Sequence, residues 1–164
     1  MKTGRPSSWN PVASLAQNVW TDVVPLASKG RIVVPVPVRS RLGWLASPPG
    51  GILAVVGADH SVELRPWEPF GVEAMEAVRF ALAGADAARR GELAVAAMDR
   101  YMKLSSDGAG RATLPPPLVS LLDAETTACV RVVMRDSRLW FWSERRWQSD
   151  RPTRLSLLSP ADAV

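Results

Sequence analysis

The sequence predicts an α+β protein, mainly β, in which a strand–turn–strand–helix–strand–strand unit occurs twice with a helical hairpin between the copies. Three observations carry this. Short runs of β-branched residues bounded by Gly, Pro and Asp recur through residues 19–67 and 100–148, as strands and tight turns require. Between those blocks the apolar residues Val72, Met75, Val78 and Leu82 fall three and four apart, on one face of a helix. The first block also aligns on the second: Arg31 with Arg111, Pro35 with Pro115 and Leu42 with Leu122 at an offset of 80, then Asp59 with Asp136, Trp67 with Glu144 and Phe70 with Trp147 at an offset of 77. Two aligned blocks and one three-residue difference, assigned to a longer Pro-Pro-Gly loop in the first, point to an internal duplication.

The elements follow in order. Residues 1–18 are rich in Ser, Asn and Pro and carry Lys2 and Arg5; they read as a flexible arm with a short helix near Val12–Gln17. Residues 19–67 hold the first unit. Val19–Leu26 and Ile32–Val34 are strands on either side of the turn Lys29-Gly30-Arg31. Pro37 suits the first turn of a short helix through Leu42, with Gly43 as its C-terminal glycine. After the Ser47–Gly51 loop, Ile52–Val56 is a buried strand, and Asp59-His60 turns into Val62–Leu64. Residues 68–99 are the helical hairpin: Pro66 to Ala83 in helical period, a break at Gly84, then an alanine-rich helix from Asp86 to Met98. Residues 100–148 start over, with strands at Tyr101–Ser105 and Ala112–Leu114 around the Asp107–Arg111 turn and a short helix from Pro116 to Leu122. A hairpin of Ala128–Met134 and Arg138–Trp142 leads to a last helix capped by Ser143. Residues 149–164 form a polar tail with a short apolar patch at Leu155, Leu157 and Leu158.

Composition excludes several classes. The chain has 164 residues and is 47% apolar, long enough for one domain with a buried core. The opening MKTGRPSSWNP has charge and no apolar run, and the uncharged stretch Trp44–Ala58 is too short to span a bilayer, so a cytoplasmic protein is expected. The single cysteine, Cys129, allows neither an internal disulfide nor a CxxC metal clip; in the apolar run TTACVRVVM it reads as a small buried hydrophobe. The one histidine, His60, stands in a turn, Glu63 and Glu73 have no partner at a readable spacing, and no nucleophile elbow, phosphate loop, HExxH or dinucleotide turn occurs. No catalytic residue, cofactor or metal is therefore assigned. Net charge is only +4, yet 17 of the 20 basic residues are arginine, the residue suited to bidentate phosphate and guanine contacts. A GC-rich genome produces the same bias, so charge makes nucleic acid plausible and no more.

The stretch LASKGRIVVPVPVRSRLGW sets cations at both ends of a short apolar strand: Lys29 and Arg31 from the turn, Arg39 and Arg41 from the helix beyond. DGAGRATLPPPLVSLL repeats the pattern with Arg111 alone, because Ala109, Val119 and Leu121 take the places aligned with Lys29, Arg39 and Arg41. The order glycine, arginine, hydrophobics, proline, then a helix ending in Leu-Gly resembles the swapped-hairpin β-barrels of the AbrB/SpoVT class. Two copies separated by a helical hairpin, with Asp107–Arg111 as the D-x-x-x-R motif, resemble the MraZ family over about Val19–Trp147. The resemblance implies that the two halves interlock as one barrel and that subunits associate into rings on repeated DNA sites. It further implies a transcriptional regulator, in that family associated with the division and cell-wall gene cluster, acting in the cytoplasm at the nucleoid. The pattern departs at Ala27, where the motif aspartate is missing, and at Val119, where the helix arginine is missing.

On that basis Lys29, Arg31, Arg39, Arg41 and Arg111 are the candidate contacts to double-stranded DNA, some to phosphate and some to guanine edges. The competing view is that these are solvated charges paired with local acids. Gly30 and Gly110 let the turns tighten; Asp107 is assigned to the turn amides and to Arg111, a role that Ser28 takes over near Ala27. Trp140 and Trp142 alternate onto one strand face and are expected to cover a core or subunit interface rather than stack on single-stranded bases. The alanine-rich helices are expected to form a packing surface, with Met75 and Met98 as gap-fillers and a homo-oligomer, a closed ring, as the consequence. The runner-up function is an antitoxin-like or scaffold module that uses the same barrel to hold a protein partner, with the tail engaging it.

Overall fold

A computed structural model describes residues 10–107 and 110–158. It is an α+β fold: eight antiparallel strands in a nearly closed, barrel-like sheet, with seven α-helices among the described residues. The strands are β1 (Val19–Pro25), β2 (Arg31–Val33), β3 (Ile52–Val56), β4 (Val62–Pro66), β5 (Tyr101–Ser106), β6 (Arg111–Thr113), β7 (Cys129–Arg135) and β8 (Arg138–Trp142). They run in the order β1-β7-β8-β4-β3-β5-β6-β2. The helices are α1 (Val36–Arg41), α2 (Val72–Ala83), α3 (Ala87–Arg100), α4 (Pro116–Leu121), α5 (Ala124–Thr127), α6 (Glu144–Ser149) and α7 (Arg151–Leu155).

Period-two alternation explains which residues form the core. In β2 and β6 only the middle residues, Ile32 and Ala112, are buried, and each is about 1% exposed. The two lie opposite each other, so β2 and β6 pair about that point with Arg31 facing Thr113 and Val33 facing Arg111. Across the barrel β4 and β8 pair about Glu63 and Trp140. Pairing joins strands distant in sequence: β1 with β7 and β5 with β3, with Val24 opposite Val130 and Ile52 opposite Leu104. Residues 31–40 and 111–120 step through the same succession of exposed, half-buried and buried positions. Proline opens α1 and α4 without the loss of a helical hydrogen bond, and each helix lays one fully buried side chain, Val38 or Leu118, into the shared core. Burying that continuous cluster is what holds the sheet and its helices together.

The seam between β1 and β2 is where the sheet stays open. No ladder joins the two strands among the described residues, and an isolated bridge, Ala27–Arg31, follows β1, whereas β5 and β6 zip further, with Ser105 opposite Thr113 and Ser106 opposite Ala112. Pro25 stands 80 positions before Ser105 and has no N–H to give to Val33, so the next pair loses one of its two hydrogen bonds.

Several expectations change in the folded chain. Gly43 does not end α1 as a left-handed cap: Leu42 takes that place (φ −110°, ψ 85°), its N–H bonded to Val38, and Gly43 opens a separate 3₁₀ turn through Leu45. The helix expected from Pro66 begins only at Val72, because Pro66 and Pro69 punctuate the approach and Glu68 is extended (φ −101°, ψ 120°). Asp86 caps α3 by accepting from Arg89 N–H at 2.9 Å. No residue of α2 or α3 is buried, and Met98 (72% exposed) fills no gap. Cys129 is half-buried at the start of β7 rather than enclosed. The short helix near residue 12 is a 3₁₀ turn, Pro11–Ser14, whose cap Asn10 accepts from Val12 N–H. Lys2 and Arg5 lie outside the described residues, as do Gly108, Ala109 and the end of the tail from Ser159. Two helices, α5 and α7, are four and five residues long and too short to show a helical period in the sequence. Ser143, fully buried, caps α6 through Arg146 N–H and donates to Asp123 Oδ2 at 2.7 Å.

Candidate nucleic-acid interface

Two crossed turns build the candidate site. In the first, Ala27 N–H donates to the Arg31 carbonyl at 2.7 Å, and Lys29 (φ 63°) and Gly30 (φ 73°) turn the chain through the left-handed region. The Gly30 carbonyl then accepts from Leu114 N–H at 2.8 Å, and a Cβ on Gly30 would stand 2.5 Å from the Leu114 carbonyl oxygen. In the second turn Asp107 N–H donates to the Arg111 carbonyl at 3.0 Å, and the Gly110 carbonyl accepts from Val34 N–H at 2.9 Å. Each turn is thus fastened to the strand that leaves the other. Gly30 serves this close approach of backbone to backbone first, and any approach to phosphate second.

Asp107 has the role assigned from its motif. Its Oδ1 accepts from Arg111 N–H at 3.1 Å and its Oδ2 from Arg111 Nε at 2.7 Å. Ala27 cannot do this, and the Ser28 hydroxyl makes no replacement hydrogen bond among the described residues. Strand pairing alone fastens the first turn.

The five candidate cations therefore stand in three different situations. Lys29, Arg31 and Arg41 are exposed and form no ion pair or side-chain hydrogen bond among the described residues. Arg111 is exposed but neutralised by Asp107. Arg39 is half-buried: its Nε donates to the Val34 carbonyl at 2.8 Å, and its side chain lies against Gly110, where a Cβ would meet Nε at 2.8 Å. Arg39 locks the second turn as well as carrying charge. Arg31, Val33, Arg111 and Thr113 share the outer face of the β2–β6 ribbon, with the two arginines diagonal across it. Arg41 ends α1, where the helix carbonyls favour a cation.

The opposite wall of the barrel holds charges of another kind, which spacing did not reveal. Glu63 accepts a bidentate pair from Arg138 at 2.9 and 2.8 Å and a second from Arg65 at 3.0 and 3.3 Å. Burial pushes its carboxyl up, but the hydrogen bonds from Arg138 and Arg65 outweigh that and hold it below its ordinary value. Trp140 is stacked by Arg135 and Arg138, each 4.8 Å from the ring. Trp142 lies 6.0 Å from Trp147, over which Arg131 and Arg154 stack. Both strand tryptophans are half-buried on the outer face, while Leu139 and Phe141, which alternate with them, face the core. They cover no core; arginine stems and α6 cover them. Arg131 also clamps α6 to β7 through a bidentate pair with Glu144 at 2.9 and 3.0 Å.

Among the described residues no cluster of three His, Cys, Asp or Glu side chains could hold a metal ion, and no helix is long and apolar enough to cross a membrane. His60 sits in the β3–β4 turn with a left-handed backbone (φ 65°), beside Asp59, whose Oδ1 accepts from the Ser61 hydroxyl and amide. No family model matches the chain, and no curated protein matches it.

Proposed function

We propose that this chain is a sequence-specific, DNA-binding transcriptional regulator of the MraZ/AbrB type, built as a duplicated swapped-hairpin barrel and acting as a homo-oligomer on repeated promoter sites at the nucleoid. The observation that carries the reading is the trio of exposed cations Lys29, Arg31 and Arg41, which form no ion pair among the described residues, on and beside the β2–β6 ribbon. A two-stranded ribbon fits the major groove, where an arginine reads O6 and N7 of guanine and the other cations meet phosphate. Support for the duplication comes from the centred registers at Ile32–Ala112 and Glu63–Trp140 and from the exchange of β1 and β5 between halves. Support for assembly comes from α2 and α3, which leave Phe80 (84%), Val95 (62%) and Met98 (72%) exposed on a hairpin with no buried residue. A closed ring covers such faces without leaving one over.

The test is fluorescence anisotropy on duplex DNA from immediately upstream of the protein's own coding sequence, against a scrambled duplex. Two phosphate-neutralising cations per protomer, Lys29 and Arg41, give a slope of log affinity on log salt of about −1.8 per protomer. Arg31→Ala is expected to weaken specific binding by about tenfold, or 1.4 kcal/mol, and to narrow the gap between the two duplexes. Equal binding to both duplexes, with no loss in Arg31→Ala, rejects the reading.

The alternative, an antitoxin-like or scaffold module, draws on one observation: Leu155, Leu157 and Leu158 are 62%, 80% and 57% exposed at the end of the described chain. A protein that binds no DNA, but whose partner is released by charged substitutions at these leucines, is that module.

A further inference from the structure

We infer that the open seam between β1 and β2 is a binding site for a small amphiphile with an apolar body and a single anionic head. The seam holds a half-open hollow of about 600 Å³, within the size range of small-molecule sites. Its walls are apolar: Trp20, Val24, Pro25, Leu26, Val33 and Pro35. Arg31, Arg111 and Asp22 line it as well, and Asp22 Oδ1 accepts from Val23 N–H at 2.8 Å. Arg111 is held by Asp107, whereas Arg31 forms no ion pair or side-chain hydrogen bond among the described residues. The arrangement is therefore an apolar floor beneath one uncommitted guanidinium, whose planar fork matches a carboxylate.

The hollow is a consequence of one residue type. Where Ser105 lets β5 close onto β6, Pro25 withholds the donor that would close β1 onto β2. The same proline, with the Asp22 carboxylate on the Val23 amide, makes the β1 edge a poor template for an added strand. A peptide joining by β-pairing is thereby disfavoured, and an occupant that uses apolar contact and one ion pair is favoured. Its recognition does not require the chain to bind DNA, so success or failure is independent of that reading.

The probe is octanoate, titrated into the full-length protein by ¹H–¹⁵N chemical-shift perturbation, with octanol and octylammonium as neutral and cationic controls of equal length. Saturable binding localised to β1, β2 and the Arg31 turn is expected, in the order octanoate, octanol, octylammonium. Shortening to hexanoate weakens binding about fourfold per buried methylene lost, as about 0.8 kcal/mol each implies. Arg31→Gln weakens octanoate three- to fivefold and leaves octanol unchanged, the range expected of an exposed ion pair. Two variants, Val33→Trp to fill the hollow and Pro25→Ser to restore the missing rung, each abolish binding of both probes, and either suffices if the other fails to fold. Octylammonium binding as tightly as octanoate, octanoate binding that is unsaturable or spread over the surface, or binding that survives a folded filling variant would overturn the inference.

Discussion

Alanine at Gly30 and alanine at Gly110 have different physical consequences, although both glycines occupy the left-handed region (φ 73° and 78°). The conformational term is common to both, about 1–2 kcal/mol for an L side chain. What the new Cβ meets is not. At Gly30 it meets the Leu114 carbonyl oxygen at 2.5 Å, a backbone atom that cannot rotate away. Relief requires the turn to lift off β6 and the Leu114 N–H to leave the Gly30 carbonyl, about 0.5–1.5 kcal/mol more. Gly30→Ala should therefore cost roughly 1.5–3.5 kcal/mol, or several degrees of melting temperature. At Gly110 the Cβ meets the Arg39 side chain, which swings out once its hydrogen bond to Val34 is given up. Gly110→Ala should thus be cheaper in an Arg39→Ala background than in the wild type, by about 0.5–1.5 kcal/mol, while Gly30→Ala costs the same in either. Urea unfolding of the three single and two double variants, followed by tryptophan fluorescence, measures both couplings. Additivity between Gly110→Ala and Arg39→Ala, or a neutral Gly30→Ala, refutes the crossed-turn account.

Three other expectations follow from the same contacts. Arg31→Ala, which removes an exposed and unpaired side chain, should leave stability within about 0.5 kcal/mol of wild type, whereas Arg39→Ala should weaken DNA binding and lower the melting temperature together; a melt beside each anisotropy titration separates the two. Glu63 and Glu144, both held below their ordinary value of 4.5 by arginine hydrogen bonds that outweigh burial, contribute stability that is present above that pH and lost as pH falls through their depressed folded values. Urea midpoints from pH 6 to pH 3 should decline in that acid window, and the decline should be shallower in Glu63→Gln. Phe80→Asp with Met98→Glu should lower the mass measured by light scattering toward the 17.8 kDa monomer, since both side chains are exposed and neither supports the barrel core; an unchanged oligomer mass moves the subunit contact elsewhere.

Local chemistry was legible in the sequence because it is decided within a few residues. Alternation placed β1, β3, β5, β7 and β8 within a residue or two, proline marked the first turns of α1 and α4, and Asp86 and Ser143 capped the helices they precede. The Asp107–Arg111 clasp was legible for the same reason, since four residues separate its partners. Likewise the exposure of Arg31 follows from the buried Ile32 beside it. Tertiary structure alone decided the rest. Arg39 is a lock rather than a free cation because Gly110, 71 positions away, arrives beneath it. Trp140 and Trp142 share a face, as alternation requires, but only the pairing of β8 with β4 and β7 made that face the outer one. Pro25 reads in sequence as the end of a strand; it opens the barrel because β2 returns beside it after the turn and finds no donor there. Periodicity reports which residues turn inward together, and it carries no information on which strand, from which half of the chain, will meet them.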